Sequence, residues 1–95
     1  GELDPVAVYE RDTAWVRACD VVVAEVSTPS HGAGFEIAYA QELGKPVLCL
    51  HRSGVRVSKM LTGNRRPGMS VHAYGDSAEA ARILDRELAG IAAAT

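Results

Sequence analysis

Apolar positions return every three to four residues along 5–19. Val8, Val16 and Cys19 share a stripe with Asp12 set among them, and Tyr9 and Trp15 flank it. That period predicts an amphipathic helix, with Asp4 as cap and Pro5 in the first turn, where its missing N–H is no loss. The period then gives way to the run Asp-Val-Val-Val-Ala-Glu-Val at 20–26. So many β-branched residues in succession predict a strand covered on both faces. The composition of 27–34, Ser-Thr-Pro-Ser-His-Gly-Ala-Gly, reads as a loop. A helical period resumes from about 34 to 43, and Gly44 supplies its stop. Residues 46–50 predict a second short buried strand and 55–61 a short helix, broken by Thr-Gly-Asn-Arg-Arg-Pro-Gly. A third, more peripheral strand is expected at 69–74. Asp76 or Ser77 then caps a last helix on which Leu84, Leu88 and Ile91 share a face.

Helices alternating with strands in this way imply a parallel sheet wrapped by helices. The fold expected is α/β, a Rossmann-like or flavodoxin-like three-layer arrangement, with residues 1–95 as one domain. Three strands are few for it, since such domains usually have about five or six. The chain also opens Gly-Glu-Leu-Asp, without Met. The expectation is therefore the later part of a longer domain, truncated at its N-terminus, with an initial strand–helix unit absent or supplied by another chain.

Composition narrows the function classes. With 47% hydrophobic and 23% charged residues the chain has the balance of a folded globular domain. Ten Lys and Arg against twelve Asp and Glu leave a net charge of −2, which argues against a binder of polymeric nucleic acid. No apolar run has the roughly 18–20 residues of a membrane span. Cys19 and Cys49 each sit inside an apolar segment, so a disulfide framework is not expected and a reducing compartment is.

The chemistry concentrates at 29–36, Pro-Ser-His-Gly-Ala-Gly-Phe-Glu. This stretch follows a buried strand and opens a helix, the place where open α/β sheets bind ligands. Gly32 and Gly34 allow close approach of a ligand to the backbone, and free N–H groups at a helix start favour an anion. A plain tight turn is the bland alternative. Glu36 is expected in the first helical turn, where the helix dipole favours an ionised carboxylate, either as a solvated surface residue or as a nucleophile at an electrophilic carbon. Asp12 breaks an apolar stripe, at a cost unless it has a partner or a task. Together the two carboxylates suggest a nucleophile and a proton-handling group. Glu25 is a third acidic candidate, better read as a hydrogen-bond acceptor for the loop. His31, His51 and His72 lack metal-ligand spacing and the cysteines form no CxxC, so a zinc site is not expected, and glycoside chemistry on two carboxylates needs no metal and no redox cofactor. Trp15 and Phe35 are expected in the core, with Phe35 close enough to Glu36 to touch a ligand.

The stretch from Asp12 through Ala-Cys-Asp-Val-Val-Val-Ala-Glu-Val, followed by Pro-Ser-His-Gly-Ala-Gly-Phe-Glu, resembles the 2′-deoxynucleoside 5′-phosphate N-hydrolases of the nucleoside 2-deoxyribosyltransferase superfamily. The likeness continues through Gly-Lys-Pro-Val-Leu-Cys-Leu at 44–50 and Val-Ser-Lys-Met-Leu at 57–61.

The resemblance implies hydrolysis of the N-glycosidic bond of a 2′-deoxynucleoside 5′-monophosphate. Glu36 would match the nucleophile that forms a glycosyl-enzyme intermediate, and Asp12 the acid that holds the sugar and assists the departing base. Ser30, with Gly32 and Gly34, would match the 5′-phosphate loop. Ser58 would match a phosphate-binding serine lent by the second subunit of a homodimer. Related transferases of unphosphorylated nucleosides carry Asp where Ser30 stands, and a carboxylate there would repel a phosphate. The setting implied is cytoplasmic, or nuclear in a eukaryote. Family members begin with a strand and a Gly-rich loop bearing Ser and Arg, and no such segment precedes Asp4 here. Alternatives are a 2-deoxyribosyltransferase, a phosphoribohydrolase with a Pro-Gly-Gly-x-Gly-Thr loop, and a non-catalytic nucleotide-binding module.

Overall fold

The computed structural model describes residues 4–94. Its elements are α1 (Pro5–Ala18), β1 (Val22–Glu25), α2 (His31–Glu42), β2 (Val47–Arg52), α3 (Lys59–Thr62), β3 (Met69–Tyr74) and α4 (Ser77–Ala94). The three strands form one parallel sheet in the order β1-β2-β3, with Val22 opposite Val47 and Val47 opposite Met69. The α/β parallel architecture expected from the alternation is the one observed.

The sheet is organised around β2. Val47, Leu48, Cys49 and Leu50 are all buried, so both faces of this central strand are covered. Alternation along a strand sends Val47 and Cys49 to one face and Leu48 and Leu50 to the other. Val47 and Cys49 join Val16 of α1 and Ile37 and Ala40 of α2 in one apolar cluster. Ala40 and Leu48 have no exposed surface at all. On β3 packs α4, whose buried Ile83 lies outside that cluster and marks the helix as cover for the opposite face. Burial pushes the Cys49 thiol up to about 11, which leaves it protonated and unreactive at neutral pH.

Four boundaries and faces differ from the sequence reading. β1 is short and is not covered on both faces: it lies at the edge of the sheet and Val23 is 45% exposed. α2 begins at His31 rather than near Gly34, because the Ser30 hydroxyl accepts from Ala33 N at 3.1 Å and caps the helix three residues earlier. α3 is a single turn capped by Ser58 instead of a helix from residue 55. On α4 the buried position is Ile83, while Leu88 is 37% exposed.

Trp15 and Phe35 are not core residues, being 62% and 50% exposed. Each has a surface partner instead. The Arg11 guanidinium lies 4.8 Å over the Trp15 ring, and Phe35 packs edge-on to Tyr9 at 5.9 Å and beside Tyr39 at 6.1 Å. Among the described residues no helix is long and apolar enough to cross a membrane.

Candidate active site

Parallel strands bring their carboxyl ends to one edge, and three polar side chains tie that edge together. Glu25, at the end of β1, accepts from Ser27 N at 2.6 Å and from Ser27 Oγ at 2.8 Å. The Tyr74 hydroxyl, from the end of β3, donates to the same carboxylate. Ser27 Oγ in turn accepts from Arg52 N at the end of β2, at 2.8 Å. Glu25 thus acts as the loop's acceptor, as its position suggested; the Tyr74 partner, 49 residues away, had no local signal. Only Thr28 and Pro29 separate the fixed Ser27 from Ser30.

Two cavities open beyond this tie. The first, about 260 Å³, is lined by Ser30, His31 and Gly34 at the start of α2 and by Arg56, Ser58 and Leu61 around α3. Ser30 and Ser58 both cap helices with their oxygens, accepting from Ala33 N and from Met60 N at 3.2 Å. Each hydroxyl hydrogen is therefore left to donate elsewhere. The second cavity, about 460 Å³, is lined by Tyr9, Asp12, Thr13, Gly32, Phe35 and Glu36, with Pro5 and Val8 at its edge. Asp12 and Glu36, from two different helices, so face one space.

The placement of Glu36 departs from the sequence reading in one respect and recovers it in another. With α2 starting at His31, Glu36 stands in the second turn, past the reach of the helix end. Its side chain runs back toward the N-terminus, as helical side chains do. A methyl built on Gly32 would meet Glu36 Oε1 at 4.0 Å and Ser30 Oγ at 3.8 Å. The carboxylate and the capping hydroxyl therefore flank Gly32, which lines the second cavity. Half-buried Glu36 has no hydrogen bond or ion pair among the described residues. Asp12 is also half-buried and pairs through one oxygen with Arg11 Nε at 3.0 Å. That pairing is how the apolar stripe accommodates a charge. Gly34 has open space where a Cβ would stand.

The sequence reading passed over Arg56 and Tyr9. An isolated Arg in a loop carries no motif, and Tyr9 looked only like the edge of a stripe. Among the described residues no three His, Cys, Asp or Glu side chains are grouped to hold a metal ion.

The parallel sheet wrapped by helices makes this a Rossmann-like α/β protein, and its cavities lie at the start of α2, where that class commonly binds ligands. The family is narrower. Residues 2–80 match the model for nucleoside 2-deoxyribosyltransferase, and the chain belongs to that family. It is 55% identical over 58 residues to the mouse 5-hydroxymethyl-dUMP N-hydrolase, covering 59% of this chain and 34% of that protein. It is 44% identical over 90 residues to a Thermofilum pendens protein named as a candidate 2′-deoxynucleoside 5′-phosphate N-hydrolase 1, covering 93% of this chain and 63% of the other. A Syntrophotalea carbinolica protein of the same name is 42% identical over 85 residues, 87% of this chain and 58% of its own length. The chain thus spans about one to two thirds of these relatives. Among solved structures, the CMP N-glycosidase BcmB of Clostridium botulinum superposes with a TM-score of 0.76 over 85% of this chain and 74% of that one. At 23% identity this likeness concerns the fold.

The tie at the strand ends has a pH signature. Hydrogen bonds from Tyr74 and then from Ser27 hold the Glu25 carboxyl below its ordinary 4.5, and the same bond raises the Tyr74 phenol above its ordinary 10.0. A depressed carboxylate contributes stability above its unfolded value, lost as pH falls through the folded one. Glu25→Gln is therefore expected to be less stable than the parent at about pH 7, with the difference shrinking below about pH 4.5. Urea midpoints of both proteins across that range measure it; a difference independent of pH would contradict the tie.

Proposed function

We propose that this chain hydrolyses the N-glycosidic bond of 2′-deoxynucleoside 5′-monophosphates. The single observation that carries the reading is the arrangement around Gly32: two carboxylates, Asp12 and Glu36, face one cavity, and the Ser30 hydroxyl faces the adjoining one. A deoxyribose across Gly32 would present its anomeric carbon to Glu36 and its 5′-phosphate to Ser30. Glu36 attacks that carbon, the C–N bond breaks, and the base leaves with a proton handled by Asp12. Water then cleaves the glycosyl ester, releasing 2-deoxyribose 5-phosphate and restoring Glu36. The names of the relatives support the reaction class. Within this reading Ser58 is a second phosphate ligand, lent to the other subunit of a homodimer. A reducing cytoplasmic or nuclear setting agrees with the two free cysteines.

The first test is Glu36→Gln, which keeps the shape and removes the attacking oxyanion. Base release followed by chromatography is expected to fall by about three orders of magnitude or more while nucleotide binding persists. Unchanged release would remove Glu36 as nucleophile, and binding without release in the parent protein would favour the nucleotide-binding module.

Gly32→Ala separates fold from function. Its methyl has only ordinary contacts, so the helix gains up to about 1 kcal/mol. The same methyl stands where the sugar would bridge the cavities, so base release should drop at least roughly tenfold. Gly90→Ala, in α4 with open space beside it and in the lining of neither cavity, is the control. A fully active Gly32→Ala protein would argue against this substrate path.

Subunit exchange tests the role of Ser58. Mixing inactive Glu36→Ala and Ser58→Ala proteins should restore part of the activity through hybrid sites. Failure despite demonstrated exchange would place Ser58 in the site of its own chain, where its hydroxyl shares the cavity of Ser30.

A further inference from the structure

The proposed substrate brings a charge problem that serine hydroxyls do not solve. Its phosphate carries close to two negative charges at neutral pH, and the carboxylate of Glu36 stands on the other side of Gly32. Like charges at such range repel strongly in a partly desolvated cavity. Ser30, Ser58 and backbone N–H groups offer dipoles and no net charge. A cation facing the same space would offset the repulsion.

Arg56 alone meets that requirement. Among the residues lining the two cavities it is the only Lys or Arg. It lines the cavity of Ser30 and Ser58 and not that of Asp12 and Glu36, so it stands at the phosphate end of the site. Several other arginines are committed elsewhere: Arg11 to Asp12, Arg17 to the Tyr39 hydroxyl, Arg66 to Glu42 and Arg86 to Glu87. Arg56 has no hydrogen bond, ion pair or ring contact among the described residues. Its planar fork suits two phosphate oxygens, and it is charged at every pH of interest.

We infer that Arg56 is the residue that makes this site select a 5′-phosphorylated sugar, by placing a permanent positive charge in the cavity that the Ser30 hydroxyl lines. The inference rests on the proposed function for the identity of the sugar and on this cavity alone for its phosphate. Arg56 acts on binding: it lies away from the cavity of the reacting carbon, so its loss weakens the hold on the nucleotide more than it slows bond cleavage.

The experiment compares the parent chain, Arg56→Gln and Arg56→Lys. Arg56→Gln is expected to raise KM for a 2′-deoxynucleoside 5′-monophosphate roughly 10- to 100-fold, with kcat within about threefold and the nucleoside's KM unchanged. Arg56→Lys restores part of the loss, having the charge without the fork. Binding of 2-deoxyribose 5-phosphate, followed by phosphorus NMR, is measured in parallel. Arg56→Gln should weaken it by a similar factor, and 2-deoxyribose should show no such dependence. Because the side chain is exposed and unbonded, thermal midpoints of the three proteins should agree within about 1–2 °C. Unchanged KM and unchanged sugar-phosphate affinity in Arg56→Gln would overturn the inference and leave the reaction assignment standing. If the parent releases no base, the reaction assignment falls, and the sugar-phosphate titration still decides Arg56. A parent chain that does not bind 2-deoxyribose 5-phosphate overturns both.

Discussion

The hydroxyl of Ser27 holds the active edge of this molecule together. It donates to Glu25 from β1, accepts from the backbone of Arg52 in β2, and shares its carboxylate partner with Tyr74 of β3. The sheet ladder already pairs these ends, Glu25 with Leu50 and Arg52 with Tyr74, and the junction adds side-chain bonds across them. One buried side chain, 8% exposed, fixes all three termini relative to one another. The loop that leaves β1 starts from that fixed point. Ser30 then caps α2, and the cap sets the angular position of every residue on the helix, Gly32 and Glu36 included. The site's geometry is in this sense inherited from a hydrogen-bond junction that contacts neither cavity.

Helix and strand alternation was legible because its physical origin is local. Asp4 accepts from Ala7 N at 2.8 Å as an Asp before Pro should, and Met69–Tyr74 pairs as a strand at the expected residues. Ser30, Gly32, Glu36 and Asp12 stood out by type and spacing. What the sequence concealed was set by tertiary contact. The Gly-rich composition of residues 31–34 suggested a loop, yet a side-chain cap overrode the low helix propensity of two glycines. β1 looked doubly buried because its residues are apolar, and only sheet order reveals that it is an edge. Phe35 and Trp15 looked like core because aromatic area is usually buried, and here each finds a ring or a guanidinium at the surface. Tyr74 and Arg56 gave no signal, since their significance lies in partners and cavities far along the chain.

Electrostatics divides the two cavities. Asp12 and Glu36 make one of them acidic, with Tyr9 and Phe35 supplying apolar wall. The other carries hydroxyls, an imidazole and a guanidinium. Gly32 lies between the Ser30 hydroxyl and the Glu36 carboxylate, and a methyl there would touch both. In the proposed function, a substrate lying across Gly32 meets the guanidinium at one end and the two carboxylates at the other. A net charge of −2 for the whole chain conceals this separation entirely.

The outer side of β1 has a consequence for how the molecule behaves among its copies. Among the described residues its backbone N–H and C=O groups on that side have no neighbouring strand, and the exposed Val23 lies beside them. A short, flat, valine-rich margin of this kind is a template onto which any extended segment can pair, and natural sheets usually guard such margins with charge, proline or a covering element. Here Asp20 precedes the strand and Glu25 ends it, and the carboxylate of Glu25 is already engaged inward with Ser27 and Tyr74. The junction that orders the ligand loop thereby withdraws a guard from the margin. The carboxylate that orders the loop after β1 is therefore not free to guard the margin against strand addition.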